Sequence, residues 1–101
     1  VHEGKLSTAQ VVQKVSHAPA QLFDVAERGF LREGYAADLV LIDDTPLTVR
    51  REDVLSKCAW SPFEGMTFQS HIGATWVNGQ LAWDGTSLVG APNGQRLRFA
   101  R

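Results

Sequence analysis

The stretch RGFLREGYAADLVLIDD, Arg28 to Asp44, decides how this chain is built. Gly29 and Gly34 punctuate it, and from Leu39 to Ile42 four long or branched apolar residues follow one another without a polar break. A half-solvated strand alternates, whereas a continuous apolar run of this length reads as a strand covered on both sides. The pattern therefore predicts a strand over Asp38–Asp43, buried on both faces as in a sandwich layer or a covered sheet. Phe30–Glu33 reads as a short extended piece leading into it, and Gly34 as the turn between the two.

Upstream of Gly29 the pattern is helical. Ser7 is a good N-cap, Gln10 completes a capping box, and Leu6 and Val11 are placed as a hydrophobic staple. A short helix to about Val15 follows, with Val11, Val12 and Val15 on one stripe. A second helix is expected over HAPAQLFDVAERG: Pro19 suits a first helical turn, Ala18 before it is pushed towards extended geometry, and Gly29 supplies the C-terminal cap. Leu22, Phe23 and Ala26 form its apolar stripe, and Arg28 in the last turn complements the helix dipole.

Downstream, residues 43–65 read mostly as connection broken by Pro46 and Pro62, with one or two helical turns over RREDVLSK. Asn78-Gly79 is a preferred two-residue hairpin turn. It predicts the pairs Val77 with Gln80, Trp76 with Leu81 and Ala74 with Trp83, which puts Ile72, Ala74, Trp76, Leu81 and Trp83 on one apolar face. Asp84-Gly85 marks a further turn into TSLVG, extending the hairpin into a meander, and the tail RLRFAR alternates like a last, exposed strand. Helices followed by strands define an α+β arrangement. Its boundary falls at Gly29, with residues 1–29 helical and 30–101 carrying the strands.

The composition narrows the function classes. A chain of 101 residues and 11.1 kDa holds one small domain that is marginal on its own. With 10 Lys+Arg against 11 Asp+Glu, the formal charge of −1 gives no electrostatic reason to expect nucleic acid or an anionic membrane as partner. Cys58 is the only cysteine, so an intramolecular disulfide is excluded and a reducing, cytoplasmic setting is expected. No apolar run approaches the ~20 residues of a membrane helix. The sequence begins at Val1 in polar residues without the features of a signal peptide, a start that suggests a piece of something longer.

Candidate chemistry is sparse. His2, His17 and His71 stand apart, none at a ligand spacing such as His-x-His, and they read as solvated or structurally bonded residues. Cys58, beside Lys57 and near Trp60, has no orienting histidine nearby in sequence and reads as a packing residue rather than a nucleophile. The glycines of RGFLREGY lack any phosphate-loop spacing. Asp38 is expected to bond the backbone of the turn before it, and Asp43 and Asp44 to form a solvated turn at the strand exit. Glu64, between Pro62 and Gly65 in SPFEG, is presented by a rigid loop that Phe63 anchors. No residue of the chain is assigned a catalytic, cofactor-binding or metal-binding role.

Three stretches together carry a family likeness: APAQLFDVAERGFLREGYAADLVLIDD (18–44), SKCAWSPFEG (56–65) and GATWVNGQLAWDG (73–85). The sequence resembles the C-terminal end of the dihydroorotases, in the cyclic amidohydrolase family of the amidohydrolase superfamily, from about Gly4 onward. The spacing from Gly29 through Gly34 to Ala37-Asp38-Leu39-Val40 resembles the wider superfamily, and SPFEG with VNG the cyclic amidohydrolases. The resemblance implies two helices from the end of a (β/α)8 barrel, residues 1–29, followed by the C-terminal share of a small β-sandwich, residues 30–101. It also implies a zinc-dependent enzyme that interconverts dihydroorotate and N-carbamoyl-aspartate in pyrimidine synthesis.

In that family the metal ligands and the general base precede the matched region. No residue here corresponds to them, and zinc is expected to be bound upstream. A barrel of this type needs roughly 250 residues, so the 101-residue chain alone is expected to be inactive. The expected partners are the remainder of its own barrel and N-terminal sandwich strands, with homo-oligomerisation when intact. Exposed apolar sheet around Trp76 and Trp83 is the expected mark of the missing partner. The alternatives are an inactive dihydroorotase-like scaffold of an aspartate transcarbamoylase assembly, or an enzyme for another ring, a dihydropyrimidine, hydantoin or allantoin.

Overall fold

The computed structural model describes residues 1–100. The chain opens with a continuous helical run made of α1 (Thr8–Val12), a π-helical turn (Gln13–His17) and α2 (Ala18–Leu22). Ser7 starts it as the sequence predicts: its side chain accepts from the Gln10 backbone N–H at 3.2 Å, and the Gln10 side chain accepts from the Ser7 N–H at 2.8 Å. The expected break at Ala18 does not occur. Ala18 is helical, with its N–H bonded to Gln13 O five residues back. A widened π turn absorbs a residue that cannot donate to the ordinary ladder, which lets the helix pass through Pro19 without an extended residue before it.

The second helix ends at Leu22, well short of Gly29. The cause is tertiary. Residues 24–26 pair with the chain's tail, through Ala26 N–H to Arg98 O and Ala100 N–H to Asp24 O, both at 2.8 Å, around a bridge between Val25 and Phe99. Asp24 and Glu27 take positive φ angles of 53° and 58° to make that pairing, which ends the helix. The tail therefore pairs, but with the helix exit and not with the main sheet. Leu22 and Phe23 are exposed rather than forming a buried stripe.

The main sheet is antiparallel, with β1 (Leu39–Asp43) at one edge, β4 (His71–Val77) in the middle and β5 (Gln80–Trp83) on the far side. Phe30–Glu33 is irregular and forms no strand. The hairpin pairs Val77 with Gln80 and Trp76 with Leu81 as predicted, but a bulge sets Trp83 opposite Thr75 instead of Ala74. A bulge places two residues of one strand against one of its partner, which breaks the alternation used to assign a shared face. The meander is present in reduced form, as a bridge from Trp83 to Leu88. Residues 43–65, expected to be mostly connection, contribute β2 (Leu47–Thr48), which pairs with β3 (Thr67–Phe68), and a single 3-10 turn at Arg51–Asp53. The result is an α+β fold.

Burial corrects the sequence reading most. The only buried apolar residues among those described are Ala20 and Ala74, each 8 % exposed. Val40, Leu41 and Ile42, expected to be covered on both faces, are 56, 54 and 55 % exposed. Trp76 and Trp83 are themselves half-buried, and exposed apolar side chains occur both beside them, at Leu81 and Leu88, and on β1.

Candidate functional site

Two features stand out around the Arg28–Asp44 stretch: a polar joint at its middle and an apolar groove beside it. The joint centres on Asp38, at the entry to β1. Its carboxylate pairs with the Arg28 guanidinium and accepts the backbone N–H of Asn78, 40 residues away, at 2.8 Å. Contrary to the expectation, Asp38 does not bond the turn before it but ties the helix exit to the tip of the β4–β5 hairpin. Arg28 is correspondingly not a helix-dipole residue. Gly79 N–H reaches Ala37 O at 3.0 Å beside it. Asn78 Nδ2 donates to Asn93 O at 2.8 Å while Asn93 Nδ2 donates to Val77 O at 2.7 Å, so the segment around Asn93 is fastened to the same tip.

A second set of contacts holds the helical run to this joint. His17 Nδ1–H donates to Gly29 O at 2.7 Å, and its ring stacks on Phe30 at 4.2 Å. The Arg32 guanidinium covers the Phe30 ring at 4.2 Å. Gly29 itself has φ +84°, and a Cβ there would lie 2.5 Å from Ala20 Cβ and 2.8 Å from Ser16 O, so both backbone shape and space require glycine.

The groove lies between the helical run and β1, with a volume of about 740 Å³. Val11, Val12 and Val15 line one wall, Val40, Ile42 and Ile72 the other, and Phe30 and Leu31 the end. Its lining is apolar apart from Ser16, His17, Arg32 and Asp38.

The remaining candidates do not converge. His71 Nδ1–H donates to Thr45 O at 2.8 Å, and His2 lies 3.6 Å from Asp44. Together with His17, the three histidines serve three separate segments as structurally bonded or surface groups. Asp43 accepts from Thr45 N–H and Oγ1 at 3.1 and 2.6 Å, the turn expected of it, and the Thr45 hydroxyl holds its carboxyl below the ordinary value. Cys58 is exposed rather than packed, with Sγ 3.1 Å from Ser56 Oγ, whose hydroxyl lowers the thiol's pKa. Phe63 meets Phe68 edge-on at 6.1 Å, anchoring the loop as expected, and Glu64 is exposed. Among the described residues no group of three His, Cys, Asp or Glu is placed to hold a metal ion. Nor is any helix long and apolar enough to cross a membrane.

This fold recurs in a known hydrolase. The L-hydantoinase (dihydropyrimidinase) from Arthrobacter aurescens matches with a TM-score of 0.80 and 28 % identity, over 88 % of this chain and 20 % of that one. The sequence profile of the Amidohydrolase family matches residues 2–82, and the chain belongs to that family. It is 36 % identical over 102 residues to the dihydroorotase of Halobacterium salinarum, and 29 % identical over 98 residues to that of Pyrococcus horikoshii. Each alignment takes in 96 % of this chain and 23 % of the relative. Allantoinases are among its relatives too. The chain spans under a quarter of the length of the dihydroorotases it matches, and its relatives are cyclic amide hydrolases.

Proposed function

We propose that this chain is the C-terminal part of a dihydroorotase, an enzyme that opens and closes the cyclic amide of dihydroorotate, and that it supports the catalytic body without supplying reacting groups. The supporting observation is the alignment with dihydroorotases over 96 % of the chain, at up to 36 % identity among the two compared, against 23 % of their length. In this reading residues 1–29 are the last helices of a (β/α)8 barrel and 30–101 a share of the β-sandwich beside it. The intact protein works in the cytoplasm and forms homo-oligomers.

Zinc, which the resemblance implies, needs three or four convergent ligands. The described residues do not fit it, since no such group is assembled among them and each histidine is committed elsewhere. No step of the hydrolysis is assigned to this chain's residues; in this reading the metal ligands belong to the part of the polypeptide that precedes it, as the resemblance implies. What this chain contributes is the rigid joint at Arg28, Asp38 and Asn78, which fixes the angle at which the sheet leaves the helical run.

A hydantoinase as structural neighbour and allantoinases among the relatives favour a second reading, in which the ring is a hydantoin or allantoin. Purifying the natural polypeptide that contains this sequence and assaying dihydroorotate, hydantoin and allantoin side by side separates the two. Turnover of dihydroorotate in preference to the others is expected. Preference for another ring supports the second reading, and no turnover of any of them contradicts both.

A further inference from the structure

A second cavity, polar and of about 560 Å³, lies between the tip of the β4–β5 hairpin, the exit of the helical run and the tail. Arg28, Arg96 and Arg98 line it together with Asn78, Gln95 and the half-buried Tyr35. It shares only Ala36 with the apolar groove, so whatever covers the groove need not cover this cavity. Three guanidinium groups around one space stand out in a chain whose formal charge is −1. Like charges gathered in a concave site raise one another's energy unless anions answer them.

The described residues answer them incompletely. Arg98 Nη2 donates to Glu27 at 3.0 Å, and Glu27 is the only acidic residue in the lining. Arg28 commits Nη1 to Asp38, which lies outside the lining. The Arg28 side chain is only 18 % exposed, yet no buried side-chain nitrogen among the described residues lacks a partner. Its remaining N–H groups, which bond no other described residue, are therefore open to solvent. Arg96 has neither an ion pair nor a hydrogen bond among the described residues. With Asp38 set against Arg28 and Glu27 against Arg98, the charge of Arg96 is left over.

We infer that this cavity binds a phosphate group, as the free ion or as the ester of a small molecule. A guanidinium carries several N–H donors in a planar fork, and phosphate oxygens accept from such forks in pairs. Arg96 from the tail and Arg28 from the joint line the same space, so a tetrahedral, doubly charged phosphate suits them better than a flat carboxylate, which one guanidinium satisfies alone. A nucleic acid strand is disfavoured, because it needs a row of phosphate contacts rather than one pocket. The cavity has the size of a small-molecule site, and the Tyr35 ring in its wall offers a surface for the rest of an ester. Glu27 lines the same space and opposes any anion there, which limits the affinity. The site goes beyond the functional reading above and does not depend on which ring the intact protein hydrolyses.

The test is titration calorimetry of the natural polypeptide that contains this sequence, in phosphate-free buffer at low ionic strength, with inorganic phosphate, phenyl phosphate and acetate. Saturable binding of the phosphates, and none of acetate, is expected. Arg96→Ala is expected to weaken it about tenfold, the worth of one charge-assisted hydrogen bond. Glu27→Gln is expected to tighten it by a factor of about three, because the competing carboxylate is gone. Both variants leave the melting temperature without ligand unchanged, since Arg96 bonds no described residue and the Glu27 pair is exposed. Equal binding of the two phosphates makes the free ion the ligand, and tighter binding of phenyl phosphate makes it a phosphorylated small molecule. Absence of saturable binding, acetate bound as tightly as phosphate, or an Arg96→Ala variant that binds like the parent overturns the inference, the last because the phosphate then sits elsewhere in the polypeptide. Phosphate binding that responds as expected in a protein that hydrolyses no ring leaves this site standing and removes the functional reading.

Discussion

The joint around Asp38 and the groove beside β1 are neighbours, yet they are finished to different degrees. In the joint the carboxylate, the guanidinium, the hairpin N–H and two asparagine amides are matched within the chain. In the groove branched side chains face solvent. Polar groups left unpaired cost free energy at once and are satisfied locally, whereas apolar surface can stay open until a large partner covers it. The difference teaches that this chain carries its own geometry but not its own core.

Substitutions sharpen the contrast. The largest effect is expected from Gly29→Ala, which forces a Cβ against Ala20 and Ser16 at a positive φ. A penalty on the order of 3 kcal/mol is enough to remove the helical circular dichroism of a chain with so small a core. Asp38→Ala comes next. It leaves the Arg28 guanidinium and the Asn78 N–H without their acceptor, a loss of about 2 kcal/mol read as a lower urea midpoint. Asp38→Asn keeps an oxygen for Asn78 and is expected to lose roughly half of that.

Ser7→Ala removes the capping box and is expected to cost about 1 kcal/mol. Leu31→Ser, at a side chain 83 % exposed in the groove, is expected to change the isolated chain by less than about 0.5 kcal/mol. A larger loss there would break the comparison, since it would mean the groove is already packed.

Acid probes the polar turns separately. The backbone N–H groups of Ser87 and Thr86 hold the Asp84 carboxyl below its ordinary value of 3.8. A lowered folded pKa stabilises the fold above the unfolded value and loses that contribution as pH falls through the folded one. Stability is therefore expected to fall below about pH 4, with a shallower fall in Asp84→Asn, measured as urea midpoints against pH.

Much of this was legible in the sequence where the signal is local. The Ser7–Gln10 cap, the Asn78-Gly79 hairpin and the Asp43 turn all come from residues close together in the chain. What was not legible depends on distant partners. The helix stops at Leu22 because residues 98–100 pair with 24–26, and Asp38 turns towards Asn78 because the hairpin tip lies there. The bulge at Trp83 shifts a register that alternation alone sets one residue away. The reading of β1 as covered on both faces is the most instructive difference. Its residue pattern is that of a strand with two covered faces, and the described residues do not provide the cover.

That last point is the centre of the account, and sedimentation equilibrium of the isolated chain over a wide concentration range tests it most directly. Association that grows with concentration and is suppressed by Val40→Glu is the expected result. A compact monomer at every concentration would contradict the account, because the exposed apolar surface on which it depends would then be closed within the chain itself.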